Sequence, residues 1–350
     1  MSYEDKIRTV VPYTPGEQPT CTGVIKLNTN ECPYPPSEKV KKAVREMDWE
    51  KLRLYPNVEA EPLVETWREY NGLKKGQVFA GVGSDDVLSM CFLTYFNSDK
   101  PVIFPDITYS FYDVWCEVYR IPYEVRPLKD DFTIDPADYI DSGAGGIVIA
   151  NPNAPTGAAL PLTTIEKIVA SNPDCIVIVD EAYVDFGAQS AIGLIEKYDN
   201  LVVVQTFSKS RALAGLRVGF AMGCEKLIKY LNDVKYSVNS YTMNYPSIAA
   251  GCAAIEDDEY FRDIVARIVK TRENTAKRLR EMGFSFADSC TNFLFAKHES
   301  ADAGYIFEEL KKKNIFVRHW NKPRIKDYLR ITIGTDEEMD SLINALKELI

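Results

Sequence analysis

Cys175-Ile176-Val177-Ile178-Val179-Asp180-Glu181-Ala182-Tyr183 is an unbroken apolar run that stops abruptly at two carboxylates. A short run without polar alternation, mostly β-branched, reads as a strand buried on both faces, the pattern of a parallel sheet covered by helices. Similar runs stand at 102–104, 147–150, 201–206 and 218–222, and amphipathic segments of helix length lie among them at 85–96, 109–119 and 163–170. This alternation predicts an α/β fold whose large domain is a mostly parallel, doubly covered sheet.

After about residue 250 the texture changes. A charged helix is expected at 259–282, with Phe261, Ile264, Val265, Ile268 and Val269 on one stripe. Strands at 292–296, 315–318 and 328–333 and helices at 305–313 and 337–349 complete a smaller α+β domain. The expected division is an arm at 1–30 packed on the smaller domain, a large domain at 31–250 and the small domain at 251–350. No repeat or low-complexity tract interrupts it.

The composition is that of a mixed globular protein, with 350 residues, 46% hydrophobic and 26% charged. A net charge of −10 opposes nucleic acid and anionic membrane, and the basic run Lys311 to Lys313 reads as a solvated helix end. Two histidines are too few for a histidine-rich metal site, so no metal is expected. The eight cysteines form no CxxC pair, which fits reduced thiols and a cytoplasmic location. Residues 1–8 contain no apolar leader, and no window is apolar for the roughly 18 residues that a membrane span requires.

In open parallel sheets, ligands sit beyond the carboxyl ends of the strands. The residues following the apolar runs are chemically related: Thr108-Tyr109, Asn151 to Gly157, Asp180 to Tyr183, and Ser208-Lys209. An aromatic face, an amide, a carboxylate and a lysine on one rim suit a cationic heteroaromatic ring bearing an aldehyde, and pyridoxal phosphate is such a ring. A lysine amine serves its aldehyde, and a buried carboxylate serves its ring nitrogen. Its phosphate needs a separate anion site. Gly81-Val82-Gly83-Ser84-Asp85-Asp86 precedes an apolar helix, with Ser84 expected at the N-cap, and Thr206, Ser208 and Arg217 add hydroxyls and a guanidinium.

The string Thr206-Phe207-Ser208-Lys209-Ser210-Arg211-Ala212-Leu213-Ala214-Gly215-Leu216-Arg217, with Asp180-Glu181-Ala182-Tyr183 upstream, resembles fold-type I pyridoxal-phosphate aminotransferases. More narrowly, Pro12 to Gly16, Leu27-Asn28-Thr29-Asn30-Glu31-Cys32-Pro33, Tyr55-Pro56, Gly83-Ser84-Asp85 and Tyr328 to Gly334 resemble the histidinol-phosphate branch of that family. The resemblance implies that Lys209 bonds the cofactor and moves the substrate proton, that Asp180 pairs with the ring nitrogen, that Tyr183 bonds the 3′ oxygen and that Tyr109 stacks on the ring. It places Ser84, Asp85, Thr206, Ser208 and Arg217 around the phosphate, with Tyr55 arriving from the partner of a homodimer. Arg330 and Arg318 would grip the anionic ends of substrates, Tyr13 would come from the neighbouring subunit's arm, and Asn28 falls in the matched N-terminal motif. His319 and Trp320 read as packing.

One position departs from the family pattern. Ala154 stands where an asparagine usually precedes Pro-Thr-Gly, leaving Asn153 as the nearest amide for the 3′ oxygen. The activity implied is transamination between L-histidinol phosphate and 2-oxoglutarate, giving imidazole acetol phosphate and L-glutamate. The alternatives are a threonine-phosphate decarboxylase and an aromatic amino acid aminotransferase.

Overall fold

The structure, a computed structural model, describes residues 2–20 and 22–350. Beyond an extended arm, β1 (Ile25–Lys26) leads into α1 (Glu38–Arg45), α2 (Glu61–Tyr70), β2 (Val78–Gly81) and α3 (Ser84–Tyr95). Then follow β3 (Val102–Pro105), α4 (Tyr112–Tyr119), β4 (Tyr123–Arg126), β5 (Gly146–Ala150), α5 (Leu162–Ser171), β6 (Ile176–Asp180), β7 (Leu201–Thr206) and β8 (Gly219–Gly223). The chain continues through α6 (Glu225–Val238), α7 (Tyr245–Glu256), α8 (Asp258–Glu281), β9 (Phe284–Ser285), β10 (Phe293–His298) and α9 (Ala303–Lys312). It ends with β11 (Ile315–Phe316), β12 (Arg318–His319), β13 (Leu329–Thr332) and α10 (Asp336–Lys347).

Seven strands form the main sheet in the order β2-β8-β7-β6-β5-β3-β4. The run from β7 to β4 is parallel, and β8 is antiparallel to both its neighbours. The absence of polar alternation in β5, β6 and β7 is explained directly by their two covered faces. Ile147, Ile149, Val177, Val179 and Val203 pack with α1, α2, α5 and α7, whereas Val148, Ile178, Val202 and Val204 pack with α3, α4 and α6. Strands β2 (Val-Phe-Ala-Gly) and β4 (Tyr-Glu-Val-Arg), the two edges of the sheet, escape the apolar-run criterion because neither carries an extended β-branched run.

A four-stranded antiparallel sheet, β12-β13-β10-β9, packs with α8, α9 and α10 around a separate core containing Ile268, Phe293, Ile306, Ile331 and Leu342. The arm's β1 pairs in parallel with β11. The division expected after residue 250 falls inside α7, because Ala253, Ala254 and Ile255 extend the core of the large sheet. The apolar stripe of α7 therefore continues past the point where composition changes. Two local readings are also corrected. Gly83, at φ 87°, is the N-cap of α3 and Ser84 the first helical residue; α4 begins at Tyr112, leaving Tyr109 in the preceding loop.

Among the described residues, no helix is long and apolar enough to cross a membrane, and no cluster of metal-ligating side chains occurs. Seven cysteines are free thiols, and Cys21 lies outside the described residues.

The last helix is closed by a capping box, in which the Thr335 hydroxyl accepts from the Glu338 N–H while the Glu338 carboxylate accepts from the Thr335 N–H. Thr335→Ala should cost about 1 kcal/mol of stability. Denaturant titration should register it as a lower midpoint with an unchanged slope.

Candidate active site

The side chains of the first compartment are carried at the carboxyl edge of the main sheet and on the turns and helix starts beside it. Asp180 is the last residue of β6 and is almost fully buried. Its Oδ2 accepts from the Tyr112 hydroxyl at 2.7 Å and its Oδ1 from the Ala182 N–H at 3.2 Å. Burial pushes its carboxyl up to about 6, against the opposing pull of these donors and of the Lys209 charge. A carboxylate kept ionised there needs a positive partner.

From β7, Thr206 places its hydroxyl 2.9 Å from Ser208 Oγ and accepts from the Ser208 N–H. Lys209 donates to the Thr29 carbonyl at 3.2 Å and lies 5.7 Å from the centre of the Tyr183 ring. Arg217, whose backbone is left-handed at φ 53°, donates to Ser208 Oγ at 3.3 Å and to Asp85 Oδ2 at 3.2 Å. Asp85 also accepts from the Tyr109 hydroxyl at 2.6 Å. Burial is the main cause raising the Tyr109 phenol, reinforced by Asp85.

The turn before α3 is drawn tightly against β8. A Cβ on Gly219 would lie 2.5 Å from the Gly83 carbonyl carbon and 2.6 Å from the Ser84 nitrogen, and one on Gly83 would meet the Arg217 guanidinium. The amides at the start of α3, the Ser208 hydroxyl and Arg217 thus converge, and a helix N-terminus with a guanidinium is an anion-binding arrangement.

These groups line a cleft of about 540 Å³ that is bordered by both Asp180 and Arg217. A second compartment of about 640 Å³ adjoins it and shares Tyr109, Ala154, Tyr183 and Lys209. Its far wall carries Arg318 and Arg330, directly paired in register across β12 and β13 and therefore on one face. Arg330 is half-buried, donates to the Asn28 carbonyl at 2.9 Å, and keeps a buried Nε without a hydrogen-bond partner among the described residues. Desolvation lowers its guanidinium's proton affinity, and Arg318 adds repulsion. The Trp320 ring lies 5.2 Å from both guanidinium carbons. Two unneutralised cations on one wall call for an anionic ligand.

A family model for aminotransferase class I and II matches residues 22–346. The chain belongs to this family. The histidinol-phosphate aminotransferase of Lactococcus lactis subsp. cremoris (strain MG1363) is 51% identical over 350 residues, covering 100% of this chain and 98% of that one. The enzyme of that name from Marinomonas sp. (strain MWYL1) is 52% identical over 349 residues, covering 99% of each. Among solved structures, a histidinol-phosphate aminotransferase from Sinorhizobium meliloti in complex with pyridoxal-5′-phosphate superposes with a TM-score of 0.84 at 22% identity, covering 93% of this chain and 91% of that one. An L-threonine-O-3-phosphate decarboxylase from Porphyromonas gingivalis reaches 0.79 at 20% identity, covering 93% and 99%, so this fold serves more than one reaction.

In this aminotransferase, Ser84, Asp85, Tyr109, Asp180, Tyr183, Ser208, Lys209 and Arg217 line one cleft, while Thr206 supports Ser208 from beneath. Two expectations, those for Asn153 and Trp320, come out differently. The Asn153 amide donates to the Ile107 carbonyl and to Thr156 and accepts from Thr108, so it braces the turn and is absent from the cleft wall. Tyr13 reaches the second compartment from the chain's own arm: it stacks on Phe111 at 4.2 Å, and Arg318 donates to the Thr14 and Pro15 carbonyls to hold the arm there. Trp320 lines the substrate-side wall in addition to packing. Asn28 spends its side chain on the Glu17 carbonyl and its own carbonyl on Arg330. Tyr55 is largely exposed, stacks on Tyr241 and lies outside both compartments.

Sequence reasoning missed Tyr112 and Asn30. The aromatic run Tyr109, Phe111, Tyr112, Trp115 was visible, but nothing local pairs Tyr112 with a carboxylate 68 residues away. Asn30 lies two residues after Asn28 in the same short polar segment, and nothing local distinguishes which of the two amides faces Tyr183.

The raised Asp180 value has a consequence for stability. Stabilisation from the protonated acid is complete below its ordinary value of 3.8 and is lost as pH rises through about 6. Cofactor-free Asp180→Asn should therefore be more stable than the parent by up to about 3 kcal/mol near pH 7. The difference should vanish below about pH 4. Thermal melting across that range checks it, and a pH-independent difference would contradict a desolvated carboxylate.

Proposed function

We infer that this aminotransferase uses pyridoxal phosphate to exchange an amino group between L-histidinol phosphate and 2-oxoglutarate, yielding imidazole acetol phosphate and L-glutamate. The observation that carries the reading is the pair of arginines in register on the substrate side of Lys209, in a chain about half identical over its full length to enzymes bearing that activity in their names.

The residues present fit the cofactor by the chemistry of their donors. The start of α3, Ser208 and Arg217 would hold a phosphate, Asp180 a protonated ring nitrogen, Tyr109 a ring face and Lys209 the aldehyde carbon. When bound, the cofactor supplies an electron sink that lowers the cost of removing a proton from the substrate's α-carbon.

Everything else is done by the chain. Lys209 borders both compartments, so its amine can take the α-proton and return it on the same side. Tyr112 and the Ala182 amide orient the Asp180 carboxylate, so that its charge is already in place before a cation arrives. Phe293 and Trp320 flank Arg330, keeping water from its guanidinium and strengthening its attraction for an oxyanion. The planar forks of Arg318 and Arg330 accept either a phosphate monoester or a carboxylate, which lets one wall serve both the donor and the acceptor.

The exposed apolar segment Trp49, Leu52, Leu54 and Tyr55 supports a homodimer in which Tyr55 reaches the partner's phosphate site. The free thiols among the described residues support a cytoplasmic enzyme.

Incubation with L-histidinol phosphate and 2-oxoglutarate should produce glutamate. Carbon dioxide from threonine phosphate, without glutamate formation, would overturn the reading in favour of the decarboxylase. Lys209→Ala should abolish turnover and the visible absorbance of the lysine-linked cofactor. Arg330→Ala should lower kcat/KM for both donor and acceptor by about 100-fold, the equivalent of roughly 3 kcal/mol of charge-assisted hydrogen bonding.

A further inference from the structure

The wall of the cleft around Tyr183 is poor in hydrogen-bonding side chains. The cleft that Tyr183 lines also has Ala150, Pro152, Ala154 and Ala182 in its lining, none of which has a side-chain donor, and Ala154 stands where the family pattern has an amide. Among the described residues, one side chain bonds the Tyr183 hydroxyl: Asn30, whose Nδ2 donates to Tyr183 Oη at 2.8 Å.

The direction of this bond is fixed by a third residue. Thr332 Oγ1 accepts from the Asn30 backbone N–H at 3.0 Å, so its own proton is free to go to Asn30 Oδ1, also at 3.0 Å. With Oδ1 thus the acceptor, the NH₂ group must face Tyr183. The segment itself is pinned, because the Asn292 side chain donates to the Asn30 carbonyl at 3.0 Å and Asn30 sits in a left-handed conformation at φ 56°. Asn30 is 1% exposed, so water does not compete for the amide.

A phenol that accepts a hydrogen bond keeps its own proton for another acceptor and becomes a better donor through the polarisation of the chain. We propose that Asn30 is a positioning residue of the active site: the relay Thr332 to Asn30 to Tyr183 aims the phenolic proton into the cleft, where it binds the cofactor's ring oxygen beside Lys209. This rests on the cofactor reading above. The relay supplies, from the N-terminal segment and through the phenol, the support that no side-chain amide on this wall gives directly.

The consequence is measurable. With Lys209 joined to the aldehyde, the proton on the joining nitrogen is shared with the adjacent ring oxygen. A hydrogen bond donated to that oxygen draws on the same charge, weakens its hold on the proton and lowers the pH at which the proton leaves. The other titratable or charged groups facing the phenol are Lys209 after β7, Arg330 on β13, Tyr13 in the arm, Tyr109 in the loop before α4 and Tyr112 at the start of α4. None of them is hydrogen-bonded to it, and none is altered in the variants below.

The test is a spectrophotometric pH titration of the purified, cofactor-loaded enzyme and of Asn30→Ala, Thr332→Val, Tyr183→Phe and the double variant Asn30→Ala/Tyr183→Phe. Asn30→Ala should raise the pH of the band's transition by about half a unit, a roughly threefold gain in proton affinity. Thr332→Val keeps the volume of the buried side chain, guards against a folding failure of the first variant, and should move the transition in the same direction. Tyr183→Phe should raise it further, and adding Asn30→Ala to Tyr183→Phe should change nothing more. A transition unmoved in both Asn30→Ala and Thr332→Val would overturn the proposal. So would an Asn30→Ala shift that persists in full on the Tyr183→Phe background. Failure of the parent chain to develop a visible band with pyridoxal phosphate would instead refute the cofactor reading.

Discussion

A carboxylate buried at the end of a parallel strand is the constraint around which this molecule is arranged. Asp180 has little water to solvate it, and its neighbours supply two hydrogen bonds and a distant ammonium without a direct ionic partner. The cost of that arrangement is borne by the apolar packing of β5, β6 and β7 on both faces. In return the site holds a fixed negative charge in a low-dielectric setting, where it acts far more strongly on a bound cation than it would in water.

The rest of the cleft is organised by charge along its length. An anion cradle at the start of α3 and at Arg217 shares the cleft with the Asp180 carboxylate, and Lys209 lies on the boundary with the substrate compartment. Beyond Lys209 the second compartment carries two further cations, Arg318 and Arg330. Like charges directly opposite on neighbouring strands are unfavourable. Here each guanidinium carbon lies 5.2 Å from the centre of the Trp320 ring, and an anionic ligand would relieve the remaining repulsion.

The second sheet is joined to the first by specific polar contacts as well as by packing. Arg272 of α8 donates to the carbonyls of Phe186 and Thr291, and the Cys290 N–H donates to the Gly157 carbonyl. Asn30 and Thr332 bring the N-terminal segment and β13 onto Tyr183. The active site is thereby completed by chain segments that are about 300 residues apart, such as Asn30 and Thr332, which differ by 302.

The buried strands, the alternation with helices and the rim residues Tyr109, Asp180, Ser208 and Lys209 were legible in the sequence, because a strand covered on both faces leaves an uninterrupted β-branched signature and its polar terminator marks the carboxyl edge. The arginines on β12 and β13 could be named, but their direct register could not. Tertiary structure alone decided that Asn153 turns into its own loop, that the chain's own Tyr13 enters the second compartment, that α7 belongs to the large core, and that Tyr112 and Asn30 hold Asp180 and Tyr183. Local sequence sets periodicity, capping and the chemistry available at each position. Which donor meets which acceptor depends on loop paths and strand register, and those are fixed only when distant segments compete for the same buried polar atoms.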